Sequence, residues 1–219
     1  QGRLGLDRAS EHPEKDLALQ RLADRLASEM DLPEGMRIQV HYVDADIVNA
    51  GATLGGHLLI YRGLIEEIES EQALAAVLAH EIGHVRERHV VQSLGRGVAV
   101  LLGLQAIGVK GQWATDWLLG ESAQLTLLGF SRDAEREADQ AALEALHRSY
   151  GDVGGAIELF ELFAERHGSE SLDLWRTHPG PERRRLEMIE RAENLGYPVE
   201  GERLPVPEFT TSSFASRIT

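Results

Sequence analysis

The sequence HEIGH at residues 80–84 constrains this chain more than any other feature. The residues before it, 70–78, have the composition of a helix and begin with a serine that can cap the N-terminus. On such a helix His80 and His84 lie one turn apart on the same face, so their imidazoles can point at one position. A tetrahedral zinc ion requires this arrangement from two of its ligands. Glu81, directly after the first histidine, is placed to accept a proton from water beside the metal.

The alternative for this segment is an ordinary core helix that carries two surface histidines, since HExxH also arises by chance. The rest of the helix argues against that alternative. Its apolar residues recur at helical spacing and predict a buried, well-anchored helix. These residues are Leu74, Val77, Leu78, Ile82 and Val85.

The charge and the cysteine content restrict the partners and the metal ligands. The chain of 219 residues carries 22 Lys and Arg against 36 Asp and Glu, and its net charge of −14 disfavours nucleic acid as a partner. Because cysteine is absent, disulfides and thiolate zinc sites are excluded, and a metal must be held by histidine and carboxylate.

No apolar run approaches the roughly 20 residues that cross a bilayer. The chain begins at Gln1 without a signal-peptide pattern, so we expect a mature or trimmed form.

The hydrophobic periodicity predicts an α+β fold that is mostly helical, with a small sheet beside the HExxH helix. We expect an N-terminal helix within residues 1–35 that packs on the core, a main domain over residues 36–196 and an extended tail over residues 197–219. The predicted helices cover 13–31, 63–68, 70–93, 131–150, 153–166 and 182–195, with two short helices within 95–129 and strands at 36–43 and 57–61.

A catalytic zinc site takes three protein ligands, so the two histidines need a partner from elsewhere in the chain. Glu135 and Asp139 lie four residues apart in a predicted helix and share one of its faces. Glu135 can then reach the metal, while Asp139 accepts a hydrogen bond from the outer ring nitrogen of a ligand histidine and fixes its tautomer. The spacing fits equally a solvated face with ion pairs to Arg132 and Arg136, and the residues alone leave both interpretations open.

Several pieces of the sequence, in order, resemble the HtpX-like and CaaX-prenyl-protease-like family of zinc metalloendopeptidases, which includes the periplasmic BepA-type proteases. The similarity covers residues 36–190 and is more specific than HExxH alone. The pieces are Asn49-Ala50 with Gly55-Gly56, Tyr61-Arg62-Gly63-Leu64, His80 to Val85 with Arg88-His89, Ser131-Arg132 with Glu135 and Ala138-Asp139, and Thr177-His178-Pro179 with Arg184. The resemblance implies a zincin-like core, one zinc ion per chain, and Glu135 as the third ligand beside His80 and His84.

The chain departs from the family pattern near the expected substrate cleft. Gly51 stands where the family usually has an aromatic residue, and Leu54 where proline or glycine is common, so the resemblance does not imply the substrate preference. Membrane-bound relatives carry transmembrane helices before the third ligand, whereas residues 95–129 are too short and too broken by glycine to span a bilayer. We expect the apolar residues of this segment to belong to the core, with a membrane-surface or partner contact as the alternative.

Two residues gain a role from the resemblance. His178 precedes a proline in a loop, and the family pattern implies a position near the zinc, where an imidazole can donate a hydrogen bond to the developing oxyanion. It can instead ligate zinc in a resting state, or have only a structural role at the start of the next helix. The resemblance places Arg184 near the site, whereas the arginines on either side of it indicate a position on the surface. His89 lies about 140° around a continuous helix from His84, so we expect it to be structural.

The substrate is expected to bind as an extended strand. By resemblance, Asn49, Gly55 and Gly56 lie beside the cleft. We expect Asn49 and the strand at 57–60 to form the edge to which a peptide adds by main-chain hydrogen bonds. The alternative for Asn49 is a turn asparagine followed by glycine.

Together these residues predict a zinc metalloendopeptidase that hydrolyses peptide bonds in unfolded or extended polypeptides. Glu81 would remove a proton from water and later pass one to the leaving amine, and His178 would stabilise the oxyanion. Because the relatives act in envelope protein quality control, the resemblance implies a location in the bacterial periplasm or cell envelope. A different hypothesis is a chaperone-like or assembly-factor module, in which His178 closes the zinc site as a fourth protein ligand.

Overall fold

The computed structural model describes residues 11–106, 130–167, 174, 178 and 180–207. Helices predominate there and a small sheet accompanies them, which confirms the predicted α+β fold class. The helices are α1 (Pro13–Ser28), α2 (Arg62–Glu67), α3 (Glu71–Arg86), α4 (His89–Ala106), α5 (Arg132–Tyr150), α6 (Gly154–His167) and α7 (Pro181–Leu195). The strands are β1 (Gln39–Val43), β2 (Ala50–Ala52) and β3 (His57–Tyr61).

The sheet has its three strands in the order β1–β3–β2, with β1 parallel and β2 antiparallel to the central strand β3. Our expectation that residues 57–60 form a free edge is therefore wrong, because β2 covers that side of β3. The sequence does not predict β2, since Ala50-Gly51-Ala52 lacks the branched and aromatic residues that indicate a strand. Within the described residues, the outer edge on this side of the sheet belongs to β2.

Helix α3 is the central element of the core. Every residue from Gln72 to Val85 is buried, and α1, α5, α6 and β2 pack around the helix. Ser70 caps its N-terminus, as the hydroxyl accepts a hydrogen bond of 3.1 Å from the backbone N–H of Ala73. Because α3 is buried on all sides, it carries the HExxH residues into the interior of the protein.

Gly83 allows α3 and α5 to approach each other closely. A Cβ atom at Gly83 would lie 3.0 Å from Cα of Ala138 and 3.2 Å from Cβ of Ala141. Small residues on both helices therefore set their separation. This close approach brings the first turn of α5, which carries Glu135, against the HExxH segment.

The HExxH helix ends earlier than the sequence indicates. It ends at Arg86, Arg88 takes a left-handed conformation with φ 58°, and α4 begins at His89. The expected continuation to residue 93 is thus wrong. Arginine and glutamate favour helices, so local propensity gives no sign of this break. Residues 95–106 belong to α4, and the loop expected at Lys110-Gly111 lies outside the described residues.

One face of α4 is apolar and exposed. Val98 belongs to the segment whose apolar residues we expected in the core, but it is 54% exposed, so that expectation is wrong at this position. Val91 and Leu94 on the same helix are also exposed. In the part of the chain that the structure describes, no helix is long and apolar enough to span a membrane.

Both ends of the described chain pack on the core. Helix α1 buries its apolar face in the same cluster as α3. After α7 the chain runs extended to residue 207 and binds the start of α3, where the backbone N–H of Glu71 donates to the carbonyl of Leu204 at 2.8 Å. The backbone N–H of Leu204 in turn donates to Oε1 of Gln72 at 2.9 Å. The remainder of the predicted tail, residues 208–219, lies outside the described residues.

Candidate metal centre

The HExxH histidines and residues from two other segments meet in one buried cluster. Helix α3 contributes His80 and His84, the first turn of α5 contributes Glu135, and His178 comes from the segment before α7. Each residue offers one ligand atom, and these atoms all lie within 4.8 Å of one another. Within the described residues this is the one group of His, Asp and Glu with the geometry to hold a metal ion.

The ligand atoms of three of these residues have the spacing of a tetrahedral metal site. The Nε2 atoms of His80 and His84 are 3.0 Å apart, and oxygens of Glu135 lie 3.5 Å and 3.7 Å from them. Zinc–ligand bonds of about 2.0–2.1 Å at the tetrahedral angle place ligand atoms about 3.3 Å apart. The residues present therefore fit a zinc ion.

The outer ring nitrogens of both histidines are held by hydrogen bonds that fix their tautomers. Nδ1 of His80 lies 3.0 Å from Oδ1 of Asp139. Nδ1 of His84 lies 3.0 Å from Nδ1 of His89, whose Nε2 lies 2.9 Å from Oε2 of Glu137. Because Asp139 accepts, Nδ1 of His80 carries the hydrogen. Because Glu137 accepts from Nε2 of His89, Nδ1 of His89 is an acceptor, and Nδ1 of His84 carries the hydrogen. His80 and His84 therefore both present a lone pair at Nε2. Two such lone pairs 3.0 Å apart repel each other unless a cation lies between them.

The helical periodicity missed two neighbours of His84. On a continuous helix His89 would lie far from His84, but the break at Arg88 places the two rings 5.1 Å apart, centroid to centroid. The ring of Phe130 stacks on His84 at 3.8 Å with an interplanar angle of 18°. The sequence signal for His89 is its place in the family piece Arg88-His89, whereas Phe130 has no signal beyond the adjacent start of α5.

Glu81 is fully buried beside the cluster. Neither of its carboxylate oxygens has a hydrogen-bond partner among the described residues, although Nε2 of His178 approaches Oε1 at 3.3 Å. Burial alone would raise the pKa of Glu81, but His178 and His80 together outweigh burial and hold the pKa below its ordinary value. The carboxylate is therefore ionised, and a buried carboxylate without a hydrogen-bond partner among the described residues is typical of a functional site.

His178 lies between the two carboxylates of the site. Its Nδ1 is 3.1 Å from Oε1 of Glu135 and 3.2 Å from Nε2 of His80, while its Nε2 faces Glu81. Burial alone would lower the pKa of His178, but Glu135 and Glu81 outweigh burial and raise the pKa to about 10. One ring nitrogen thus lies at a ligand position and the other faces Glu81, so the geometry accommodates both roles considered for this residue. Its neighbours Thr177 and Pro179 lie outside the described residues.

Arg184 lies inside the protein and not on its surface. It is 4% exposed and donates to both carboxylate oxygens of Asp139, at 2.6 Å and 2.9 Å, while its Nη1 lies 2.8 Å from Oε2 of Glu135. Burial favours the neutral form of both carboxyl groups. At Asp139, Arg184 outweighs burial and holds the pKa below its ordinary value. At Glu135, His178 and Arg184 together outweigh burial and hold the pKa well below its ordinary value. The solvated face considered for Glu135 and Asp139 is wrong, since both residues are buried.

The residues expected beside the substrate lie outside the cluster. The side chain of Asn49 accepts a hydrogen bond of 2.9 Å from the backbone N–H of Ala50, the first residue of β2. Gly55 and Gly56 follow the other end of β2 with φ values of 83° and 82°, which favour glycine. They line a groove of about 540 Å³ that also reaches His84. The structure thus places the two glycines along a groove next to the cluster, and Asn49 at the opposite end of the strand.

A buried HExxH helix, a glutamate from a second helix and the buried carboxylate of Glu81 beside them form the site of an HExxH metallopeptidase. The sequence profile of peptidase family M48 matches residues 13–193. The chain therefore belongs to peptidase family M48, whose members are zinc-dependent metallopeptidases. This match confirms the predicted similarity to the HtpX-like and BepA-type proteases.

Named relatives agree with this family. The chain is 30% identical to the beta-barrel assembly-enhancing protease of Yersinia pestis over 175 residues, which are 73% of this chain and 36% of that protein. It is 31% identical to the mitochondrial metalloendopeptidase OMA1 of Arabidopsis thaliana over 152 residues, 69% of this chain and 31% of that protein. It is 29% identical to metalloprotease YcaL of Escherichia coli K12 over 143 residues, 63% of this chain and 55% of that protein. The chain thus spans about a third of the length of the first two relatives.

Proposed function

We propose that this chain is a zinc-dependent endopeptidase that hydrolyses peptide bonds in unfolded or extended polypeptides. The observation that carries the proposal is the buried, ionised Glu81, which lies beside the ligand atoms of His80, His84 and Glu135 and forms no hydrogen bond with any residue that the structure describes. A zinc ion held by these three residues would supply a Lewis acid to the water and to the scissile carbonyl.

The roles of the protein groups follow from their positions. Glu81 takes a proton from the attacking water on its carboxylate and passes one to the leaving amine. His178, whose Nε2 faces Glu81, donates a hydrogen bond to the oxygen that becomes negative during attack. Phe130, packed flat on His84, excludes water from one side of that imidazole.

The outer edge of β2 is the proposed substrate-binding edge. β2 packs against α3, so a peptide that adds to this strand by main-chain hydrogen bonds would run past the HExxH segment. Asn49 flanks one end of β2, and Gly55 and Gly56 flank the other. We keep all three as proposed substrate contacts, because an extended peptide along β2 would extend over both ends.

The cellular role is proposed by analogy with the named relatives. Two of them are called beta-barrel assembly-enhancing protease and metalloendopeptidase. By analogy we place this chain in protein quality control in the bacterial periplasm or cell envelope. The exposed apolar face of α4, formed by Val91, Leu94 and Val98, supports an association with a membrane surface.

One observation favours a second function, that of a chaperone-like or assembly-factor module. Nδ1 of His178 belongs to the same cluster of ligand atoms as His80, His84 and Glu135. Four protein ligands would give zinc the closed shell of a structural site and leave no position for water. In that state the chain would bind polypeptides without cleaving them.

Cleavage of unfolded casein by the zinc-loaded protein tests the main proposal. Wild type should produce fragments, and Glu81→Gln should reduce the rate by about 10²–10⁴-fold while keeping the zinc, because it removes the base but no ligand. Glu193→Gln, at an exposed position of α7, is the matched control and should cleave like wild type. Equal casein binding by wild type and Glu81→Gln with no fragments from either would instead support the module.

A His178→Ala variant separates the two roles of this histidine. If His178 stabilises the oxyanion, its removal should lower kcat by about 10²-fold or more. If it occupies the fourth ligand position at rest, its removal should open that position and raise the rate of casein cleavage. Zinc content, measured in the same samples, shows whether the site is still loaded.

A further inference from the structure

The groove beside the metal-ligand cluster differs in charge from the rest of the protein. We call it the lateral groove; it is lined by residues from 33–39, by 53–56 and by residues of the α3–α4 junction between 84 and 91. Its volume of about 540 Å³ accommodates several side chains of a bound peptide. Its lining includes His84, so a peptide in the lateral groove would lie next to the proposed site of cleavage.

Two exposed arginines line the lateral groove, Arg37 before β1 and Arg88 at the α3–α4 junction. Neither side chain has an ion-pair or hydrogen-bond partner within the residues that the structure describes. Several other arginines of this acidic chain are paired with carboxylates. Examples are Arg25 with Glu71, Arg62 with Asp44 and Arg136 with Asp133.

The lateral groove is therefore cationic in a chain whose net charge is −14. The charged residues in its lining are Arg37, Arg88 and Glu34, and Glu34 lies beyond ion-pair distance of both arginines. Two cations against one carboxylate leave an excess of positive charge beside the metal site. Unpaired cations that line a cleft raise the local concentration of anionic groups.

The conformation of Arg88 fixes where its charge is presented. Its φ of 58° lies in the left-handed region, which costs energy for a residue other than glycine, asparagine or aspartate. The break at this position turns the chain from α3 into α4 and sets the side chain on the groove. Leu54 and Val91, exposed by 47% and 57%, add apolar surface to the same lining.

We infer that the lateral groove selects polypeptide substrates that carry an acidic side chain, flanked by apolar residues, at a fixed distance from the scissile bond. Arg37 and Arg88 bind the carboxylate, and Leu54 and Val91 contact its apolar neighbours. This inference rests on the proposed function, because the occupant is a segment of the substrate. The free α-carboxylate of a peptide has the same chemistry as a side-chain carboxylate, so the test separates the two.

Matched peptides test the inference. A casein peptide that wild type cleaves is made with Glu, Gln or Lys at each position around the cleavage site. Each peptide is made once with an amidated and once with a free C-terminus. At one position Glu should give a kcat/KM about 5- to 20-fold above Gln, the effect of two exposed ion pairs, and Lys should be worst. The preference should decrease in high salt. If an acidic side chain gives no preference at any position, or if only a free C-terminal carboxylate gives one, the inference is wrong.

Charge reversal provides the sharper arm of the test. The double variant Arg37→Glu, Arg88→Asp should reverse the preference from Glu to Lys at that same position, and aspartate suits the left-handed backbone at residue 88. Arg191→Glu, on α7 beside Gln140 of α5 and outside the lining of the lateral groove, is the matched control and should keep the wild-type preference. An unchanged Glu preference in the double variant would overturn the inference.

A binding measurement keeps this test independent of hydrolysis. Casein peptides with Glu, Gln or Lys at each position in turn are labelled with a fluorophore, whether or not wild type cleaves them. They are titrated with zinc-loaded Glu81→Gln and with that variant carrying the two charge reversals. Tighter binding of the Glu peptide by Glu81→Gln, with the opposite preference in the charge-reversed protein, supports the inference. It does so even if wild type cleaves nothing; that failure to cleave would refute the proposed function alone. Cleavage together with equal binding of the Glu, Gln and Lys peptides would refute the inference alone.

Discussion

Arg184 and Asp139 form a doubly hydrogen-bonded ion pair directly behind His80, a proposed metal ligand. Nη2 and Nε of the guanidinium donate to the two oxygens of Asp139 at 2.6 Å and 2.9 Å. Oδ1 of Asp139 also lies 3.0 Å from Nδ1 of His80. The orientation of His80 therefore depends on Asp139, and that of Asp139 depends on Arg184.

Asp139→Asn should lower the zinc affinity by about 10- to 100-fold, because an amide is a weaker acceptor for Nδ1 of His80 and no longer fixes its tautomer. Zinc affinity is measured by competition with a chromogenic chelator, on protein shown to be folded by circular dichroism. Asp133→Asn is the control, since Asp133 is exposed on the same helix and pairs with Arg136. An unchanged affinity in Asp139→Asn would show that His80 is oriented by other contacts.

His89→Phe should weaken zinc binding by about tenfold or more, because it removes the acceptor for Nδ1 of His84 while keeping an aromatic ring in the same space. His89→Asn should lose less, since its side-chain oxygen can take the place of the ring Nδ1. The measurement is the same chelator competition for both variants. Equal losses in the two variants would mean that packing, and not the hydrogen bond, is the contribution of His89.

Gly83→Ala should destabilise the protein by about 1–3 kcal/mol and weaken zinc binding. Its Cβ would lie 3.0 Å from Cα of Ala138, so α5 must move away and carry Glu135 with it. Gly95→Ala is the control, because its Cβ would meet no atom within 4 Å, and the gain in helix propensity should stabilise α4 by roughly 0.5–1 kcal/mol. Urea unfolding gives both free energies. A Gly83→Ala protein as stable as wild type would contradict the tight helix contact.

The close approach of His80 and His84 on α3 and the fold class could be predicted because both depend on local pattern. His80 and His84 lie within one helix, so their spacing alone places them on one face. The apolar residues around them show which faces of that helix are buried. The position of Glu135 needed the family resemblance, because its spacing fits a solvated face equally well. Only the packing of α5 on α3 at Gly83 distinguishes the two.

The contact of His89 with His84 could not be predicted from the sequence. It depends on the left-handed conformation of Arg88, a residue type that favours helices, so tertiary packing overrides local propensity there. The burial of Arg184 is a similar case. Its partners Asp139 and Glu135 lie far from it in sequence, and nothing in the run of three arginines marks the middle one as interior.

Removal of zinc should lower the melting temperature. A ligand present at about 1,000 times its Kd stabilises the folded state by about 4 kcal/mol, which corresponds to roughly 8–16 °C for a domain of this size. The physical reason lies in the cluster, since without a cation the Nε2 lone pairs of His80 and His84 face each other at 3.0 Å. Thermal unfolding with chelator, and again after zinc or magnesium is restored, measures the effect. Zinc should recover the stability, and magnesium, which prefers oxygen ligands, should not.

Two variants identify which groups hold the ion in that experiment. Glu135→Gln should lose most of the zinc-dependent shift, because it removes the ligand charge. Glu81→Gln should keep the full shift, since its carboxylate lies beside the ligand atoms and is not one of them. If Glu81→Gln lost the shift and Glu135→Gln kept it, the assignment of ligand and base would have to be exchanged. The two glutamates are both buried and ionised, so only this comparison separates binding the metal from accepting the proton.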